Sequence, residues 1–143
     1  MLSKSAKYAI RAVEFLVQNS NQENKFRVQE IAEAIEVPVP FLAKILQALS
    51  RNKIISSTKG PHGGFFIKTE ECKHSLWDVV VCIDGKAKFE ECFLGTPNCD
   101  QNNPCSMHDI AVEFRNNLIN NLKSEKIHAF KEPDKESKLK PKT

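Results

Sequence analysis

Apolar residues near the start of the chain recur every three or four positions: Ala6, Ala9, Ile10, Val13, Leu16 and Val17 form one stripe, with Lys7, Arg11 and Glu14 away from it. That period predicts a first helix over residues 5–18. The polar run 19–25 reads as a loop. Val28, Ile31, Ala32 and Ile35 then mark a short second helix that stops near Val37. Pro40 suits the opening of a third helix, where a missing N–H costs no hydrogen bond, and Leu42, Ile45, Leu46 and Leu49 supply its core stripe.

The period then changes. Two β-prone runs, 54–59 and 64–67, flank a tip of Gly60, Pro61, His62 and Gly63, which is the signature of a hairpin. A fourth helix is expected over 75–83, capped by Ser75. Residues 86–107 lack any period, and a structureless stretch this long is either functional or disordered. A final helix over 107–130 aligns Ile110, Ala111, Phe114, Leu118 and Leu122, with Ile119 beside them. Such a stripe exceeds what a small core needs and points to pairing with another chain. From 131 to 143 the chain has one large apolar residue, Leu139, and reads as a disordered tail.

The expected fold is therefore mainly α with a small β-hairpin wing. Residues 1–70 form a winged helix-turn-helix, 71–91 a connecting helix and linker, 92–108 a cysteine-rich loop, and 107–130 a long C-terminal dimerisation helix. At 143 residues the chain suits one compact domain with appendages. No apolar run approaches the roughly 18 residues that span a bilayer, and Lys4, Lys7, Arg11 and Glu14 interrupt the N-terminus, so a cytoplasmic protein with no membrane partner is expected.

Charge distribution adds a partner. Residues 1–68 carry ten Lys and Arg against five Asp and Glu, whereas residues 69–130 carry six against ten. No acid occurs between residues 37 and 69, a stretch holding Lys44, Arg51, Lys53, Lys59 and Lys68. Such a segment approaches phosphates without local repulsion, and double-stranded DNA is the expected ligand. A helix fills the major groove, and a glycine-tipped hairpin brings backbone or a basic tip to the neighbouring phosphates or minor groove. Val39, Pro40, Lys44 and Gln47 are placed in the major groove, with Lys59 and Gly60 at the wing. Arg11, Ser57 and Thr58 are assigned to the sugar-phosphate backbone. Tyr8 either touches that backbone or packs beneath the wing, and His62 is a turn residue within reach of a phosphate.

Five cysteines in an unexported chain point to thiols or metal ligands rather than disulfides. Cys92, Cys99 and Cys105 lie close in sequence, with His108 just beyond, and Gly95, Pro97 and Pro104 shape the turns between them. Three thiolates and an imidazole fill a closed site for zinc or for an iron-sulfur cluster; ligand chemistry alone leaves both open. Cys72, among Glu70, Glu71 and Lys73, reads as a surface thiol, and Cys82, among valines, as a small buried hydrophobe. The chain has no Cys-x-x-Cys pair, no nucleotide-binding glycine loop and no nucleophile–base set, so no enzymatic activity is expected.

Several stretches together resemble the Rrf-two family of bacterial winged-helix regulators: KYAIRA from Lys7, IAEAI from Ile31, PFLAKILQAL from Pro40, STKGPHGGFFI from Ser57, and the set Cys92, Cys99, Cys105 and His108. The resemblance implies a homodimer crossed through its final helices, bound to a palindromic operator, with a cluster in each subunit adjusting affinity. It implies a three-cysteine, one-histidine ligand set and favours a 2Fe-2S cluster over 4Fe-4S or Zn. Members that sense nitric oxide take an acidic ligand from the partner's first helix, and Lys7 stands at that position here. Pro38, Pro40 and Ala43 replace residues by which other members choose operators. Lys59 stands where the family has a wing arginine, keeping the charge without the planar fork.

Overall fold

The computed structural model describes residues 2–131; the rest of the tail expected from residue 131 onward lies outside them. Helix α1 spans Lys4–Asn19, with Ser3 as its N-cap, its side chain accepting from the Ala6 amide. Asp84 accepts from both the amide and the hydroxyl of Ser3, which ties this helix start to a later helix. α2 spans Val28–Ile35 and ends at Glu36 in the left-handed conformation (φ 57°). α3 spans Val39–Arg51, with Pro40 in its first turn as its missing donor dictates.

Ile54 and Ile55 are buried before the hairpin begins. Strands β1 (Ser56–Thr58) and β2 (Gly64–Phe66) pair antiparallel, with Ser57 opposite Phe65. Phe26 joins as a one-residue bridge: its amide donates to the Phe65 carbonyl at 2.9 Å, and its carbonyl accepts from the Phe65 amide at 2.7 Å. This approach explains Gly64, since a Cβ there would sit 2.8 Å from the Phe26 carbonyl oxygen. At Gly63 a Cβ would meet the Thr58 carbonyl oxygen at 2.3 Å, so the tip also demands glycine.

α4 spans Leu76–Asp84 behind a capping box of Ser75 and Asp78. α5 spans His108–Ser124. The mainly α, hairpin-winged architecture is thus the expected one, but three local expectations are corrected. The final helix does not run to Phe130: Glu125 turns extended, Lys126 bridges to Ser75, and a 3-10 turn (Ile127–Lys131) buries Ile127 completely. Cys72 is not a surface thiol, because a 3-10 turn (Thr69–Lys73) points it into the core. The linker after α4 is not all irregular, because a 3-10 turn (Ala87–Glu90) buries Phe89 edge-on to Trp77, ring centroids 4.9 Å apart.

One apolar cluster unites α1, α2 and α3 with Val79 of α4 and with Ile127. The reading unit therefore shares its core with the C-terminal half. A second cluster joins Val80, Phe89 and Leu122, with Leu2, Ile10, Trp77, Leu118 and Ile119 packed around it. Ile127→Ala should cost about 2 to 5 kcal/mol in urea unfolding, the range for a buried large-to-small change; a loss below about 0.5 kcal/mol would detach this turn from the core.

Candidate nucleic-acid interface and metal centre

α3 buries Leu42, Ile45, Leu46 and Leu49 and leaves Val39, Pro40, Lys44, Gln47 and Arg51 exposed. The expected reading residues thus share one outward face. At the wing, Thr58, Lys59, Gly60 and His62 are exposed, and Gly60 adopts φ 98°. Ser57 is also exposed, its hydroxyl 2.9 Å from that of Ser50 on α3. Tyr8 is half-buried against the main core, with Lys4 and Arg11 each 5.8 Å from its ring centre. Arg11 donates to the Ile35 carbonyl at the end of α2, so that nitrogen serves the fold.

A wing residue escaped the sequence reading. Arg27, at the N-cap of α2, donates to the Pro61 carbonyl at 2.7 Å and to the Gly60 carbonyl at 3.5 Å. The guanidinium braces the wing tip against the start of the helix-turn-helix. Only the spatial approach of residues 33 and 34 positions away makes this visible.

The cysteine loop closes on itself. The sulfurs of Cys92, Cys99 and Cys105 all lie within 4.8 Å of one another. Cys92 and Cys105 are 3.5 Å apart, and Nδ1 of His108 is 3.5 Å from Cys99. His108 is brought to the group as the first residue of α5. Three sulfurs and an imidazole gathered in this way suit a small metal cluster. They also fit one tetrahedral ion, whose bonds of about 2.3 Å to sulfur place neighbouring sulfurs about 3.8 Å apart. Cys72 and Cys82 lie elsewhere, donating to the carbonyls of Lys68 and Ala48 at 3.6 and 3.5 Å.

Backbone amides prepare the thiols. The turn from Cys92 to Gly95 is closed by a 3.0 Å bond, with Gly95 at φ 68°. The Thr96 amide, with smaller help from Leu94, Cys105 and Cys99, lowers the Cys92 pKa to about 6. Cys99 accepts from the Cys105 amide at 3.4 Å, which favours its thiolate, but burial and the adjoining thiols outweigh this and its pKa is raised. Burial pushes Cys72 and Cys82 up as well.

Arg115 anchors the loop to α5. It donates to the carbonyls of Phe89 at 2.9 Å and Glu91 at 3.2 Å, and its guanidinium lies 5.8 Å from the Phe93 ring centre. Together with Cys92, Cys99, Cys105 and His108 it lines a cleft of about 670 Å³. The stripe on α5 divides: Ala111 and Leu122 are buried within the chain, while Ile110 and Phe114 are exposed, and Phe93 of the loop stacks edge-on against Phe114 at 6.3 Å. Among the described residues no helix is long and apolar enough to cross a membrane.

Comparison with known proteins agrees with this layout. The family model Rrf2, described as iron-dependent transcriptional regulator, matches residues 2–132. A putative HTH-type transcriptional regulator of Aquifex aeolicus is 32% identical over 120 residues, covering 82% of each chain. The HTH-type transcriptional regulator IscR of Photorhabdus laumondii is 22% identical over 86% of this chain and 74% of its own. CymR, the global cysteine regulator of B. subtilis, has a similar fold at 13% identity, with a TM-score of 0.72 over 92% of this chain and 95% of its own.

The thiols should differ in reactivity. In metal-free protein Cys92 should be alkylated at half its maximal rate near pH 6, because lowering the pKa leaves thiolate present above that point. Cys72 and Cys82, whose pKa values are raised, should react only in alkaline solution or after unfolding. Mass-spectrometric mapping of label against pH checks this; equal rates for all three would contradict it.

Proposed function

Because the chain belongs to the Rrf2 family of iron-dependent transcriptional regulators, we propose that it binds a palindromic operator as a homodimer, with an affinity set by an iron-sulfur centre on Cys92, Cys99, Cys105 and His108. The chain is a DNA-binding regulator and not an enzyme. The observation that carries the finer reading is the convergence of three thiols within 4.8 Å, adjoined by an imidazole, in the same chain as a winged helix. An imidazole as the fourth donor beside three thiols favours a 2Fe-2S cluster. Such a cluster, when bound, supplies a redox-active centre whose retention depends on iron supply and on oxidation.

The rest is the work of the protein's own residues. Gathering the four ligands fixes Cys92 beside Glu91, whose carbonyl Arg115 already holds. Phe89 passes this order to Trp77 on α4, and α4 packs on α1, which shares its core with α3. A loop that is ordered or loose thereby biases how the reading head is held. Ile110 and Phe114, with Phe93 and Leu94, form an exposed apolar patch running from α5 into the loop. A second copy covering that patch buries residues next to Cys92, which links dimer geometry to the state of the centre.

A structural zinc site is the second reading, favoured by the fit of the three sulfurs to one tetrahedral ion. Oxygen-protected protein should be brown and contain iron and acid-labile sulfide in equal amounts, and its operator affinity should change when the centre is removed. Colourless protein holding only zinc, with the same affinity after chelation, would leave a plain operator binder. Cys92→Ala, Cys99→Ala and Cys105→Ala should each abolish retention, while Cys72→Ala and Cys82→Ala should not.

Lys59→Ala should weaken operator binding by about 1 to 3 kcal/mol in a titration at fixed salt. Unchanged binding would remove the wing from the interface.

A further inference from the structure

Among the described residues the exposed large apolar side chains fall into two groups, and only one is explained by the loop and α5. The other is the first turn of α3, where Val39 is 37% and Phe41 62% exposed. Neither joins the two apolar clusters, although Leu42, the next residue, is fully buried. Pro40 lies between them and is exposed, and Ala43, half-buried, follows one turn on. The leading turn of α3 is therefore apolar on all its exposed sides, and it has no side-chain cap.

Such an edge looks at first like a protein contact, but its surroundings argue otherwise. It continues into Lys44, Gln47 and Arg51 on the same helix, in a segment with no acid between residues 37 and 69, and the exposed basic wing residue Lys59 belongs to that segment. The centres of protein interfaces are depleted of charge, whereas this turn leads into Lys44, exposed on the same helix and suited to a phosphate. A recognition helix reads bases with its N-terminal residues. The apolar group that DNA presents in the major groove is the C5 methyl of thymine, for which aliphatic and aromatic side chains are the fitting contacts.

We infer that Phe41 and Val39 read thymine methyl groups in the major groove, so that this protein selects operator half-sites with thymine facing the first turn of α3. The inference rests on the DNA-binding reading and deepens it. Phe41 is the specificity-determining residue in this assignment, with Val39 and Pro40 completing the apolar surface. Lys44 and Gln47 supply the polar contacts beside it. The affinity for DNA of any sequence comes from the basic residues and does not depend on Phe41.

Selection of bound sites from a pool of random duplexes by the full-length holoprotein supplies the operator. In that operator, replacing each selected thymine by uracil removes one methyl group and nothing else. At the positions facing α3 each replacement should weaken binding about four-fold, the worth of burying one such group. Phe41→Ala should lower operator affinity and abolish part of this uracil sensitivity, while binding to an unselected duplex and the thermal midpoint stay as in the parent. Full uracil tolerance in the parent, or undiminished sensitivity in Phe41→Ala, would overturn the inference. So would a Phe41→Ala variant that loses its dimeric state but keeps the thymine preference, since the side chain would then belong to a subunit contact. Enrichment of no sequence at all would instead sink the DNA-binding reading with it.

Discussion

Everything in this chain leans on α1. Ala6, Ala9, Ala12, Val13 and Leu16 are each fully buried along it, and three of the five are alanines. Small side chains let neighbouring helices approach closely, so α1 can touch α2 and α3 as well as α4 and the C-terminal turn. The reading head and the regulatory half are consequently not independent bodies joined by a linker. Movement in one must be accommodated by packing against the same helix, which is the physical basis of the proposed coupling between the loop near Cys92 and the attitude of α3.

The cysteine loop shows the opposite balance. It has little apolar burial of its own, and its order comes from a few directed contacts: Arg115 on the carbonyls at its entrance, the amides of Leu94 and Thr96 on Cys92, and the Cys105 amide on Cys99. Ordering such a segment costs conformational entropy that only strong ligand bonds offset readily. A site built this way is well suited to respond to the presence of its ligand, because little else holds it. The apolar residues Phe93 and Leu94 stand exposed beside Cys92, at the surface where a second copy is proposed to sit.

The two exposed apolar patches then have different logics. The one on α5 and the loop is poor in cations apart from Lys88 and Arg115, and it suits protein. The one on α3 runs into exposed Lys44 and Gln47 on the same helix and suits a polyanion whose groove offers methyl groups. Arg27 belongs to the same logic, holding the glycine-rich tip so that Lys59 and His62 stand clear of the fold.

Residue order alone determined the helices of the reading unit, the glycine-tipped wing and the closeness of the three loop cysteines. Those features depend on periodicity, on backbone freedom at Gly60, Gly63 and Gly64, and on short loop spans, all of which are local. It did not determine where the last helix ends, because the chain leaves α5 at Glu125 for Lys126 to form an isolated bridge with Ser75, the N-cap of α4, 51 residues back. Nor could it show that Cys72 is core, since a 3-10 turn among charged neighbours hides its inward direction. The braces Arg27 and Arg115 and the division of the α5 stripe were likewise decided by tertiary contacts, because a guanidinium finds its acceptors, and an apolar face its neighbours, only where the fold brings distant backbone together.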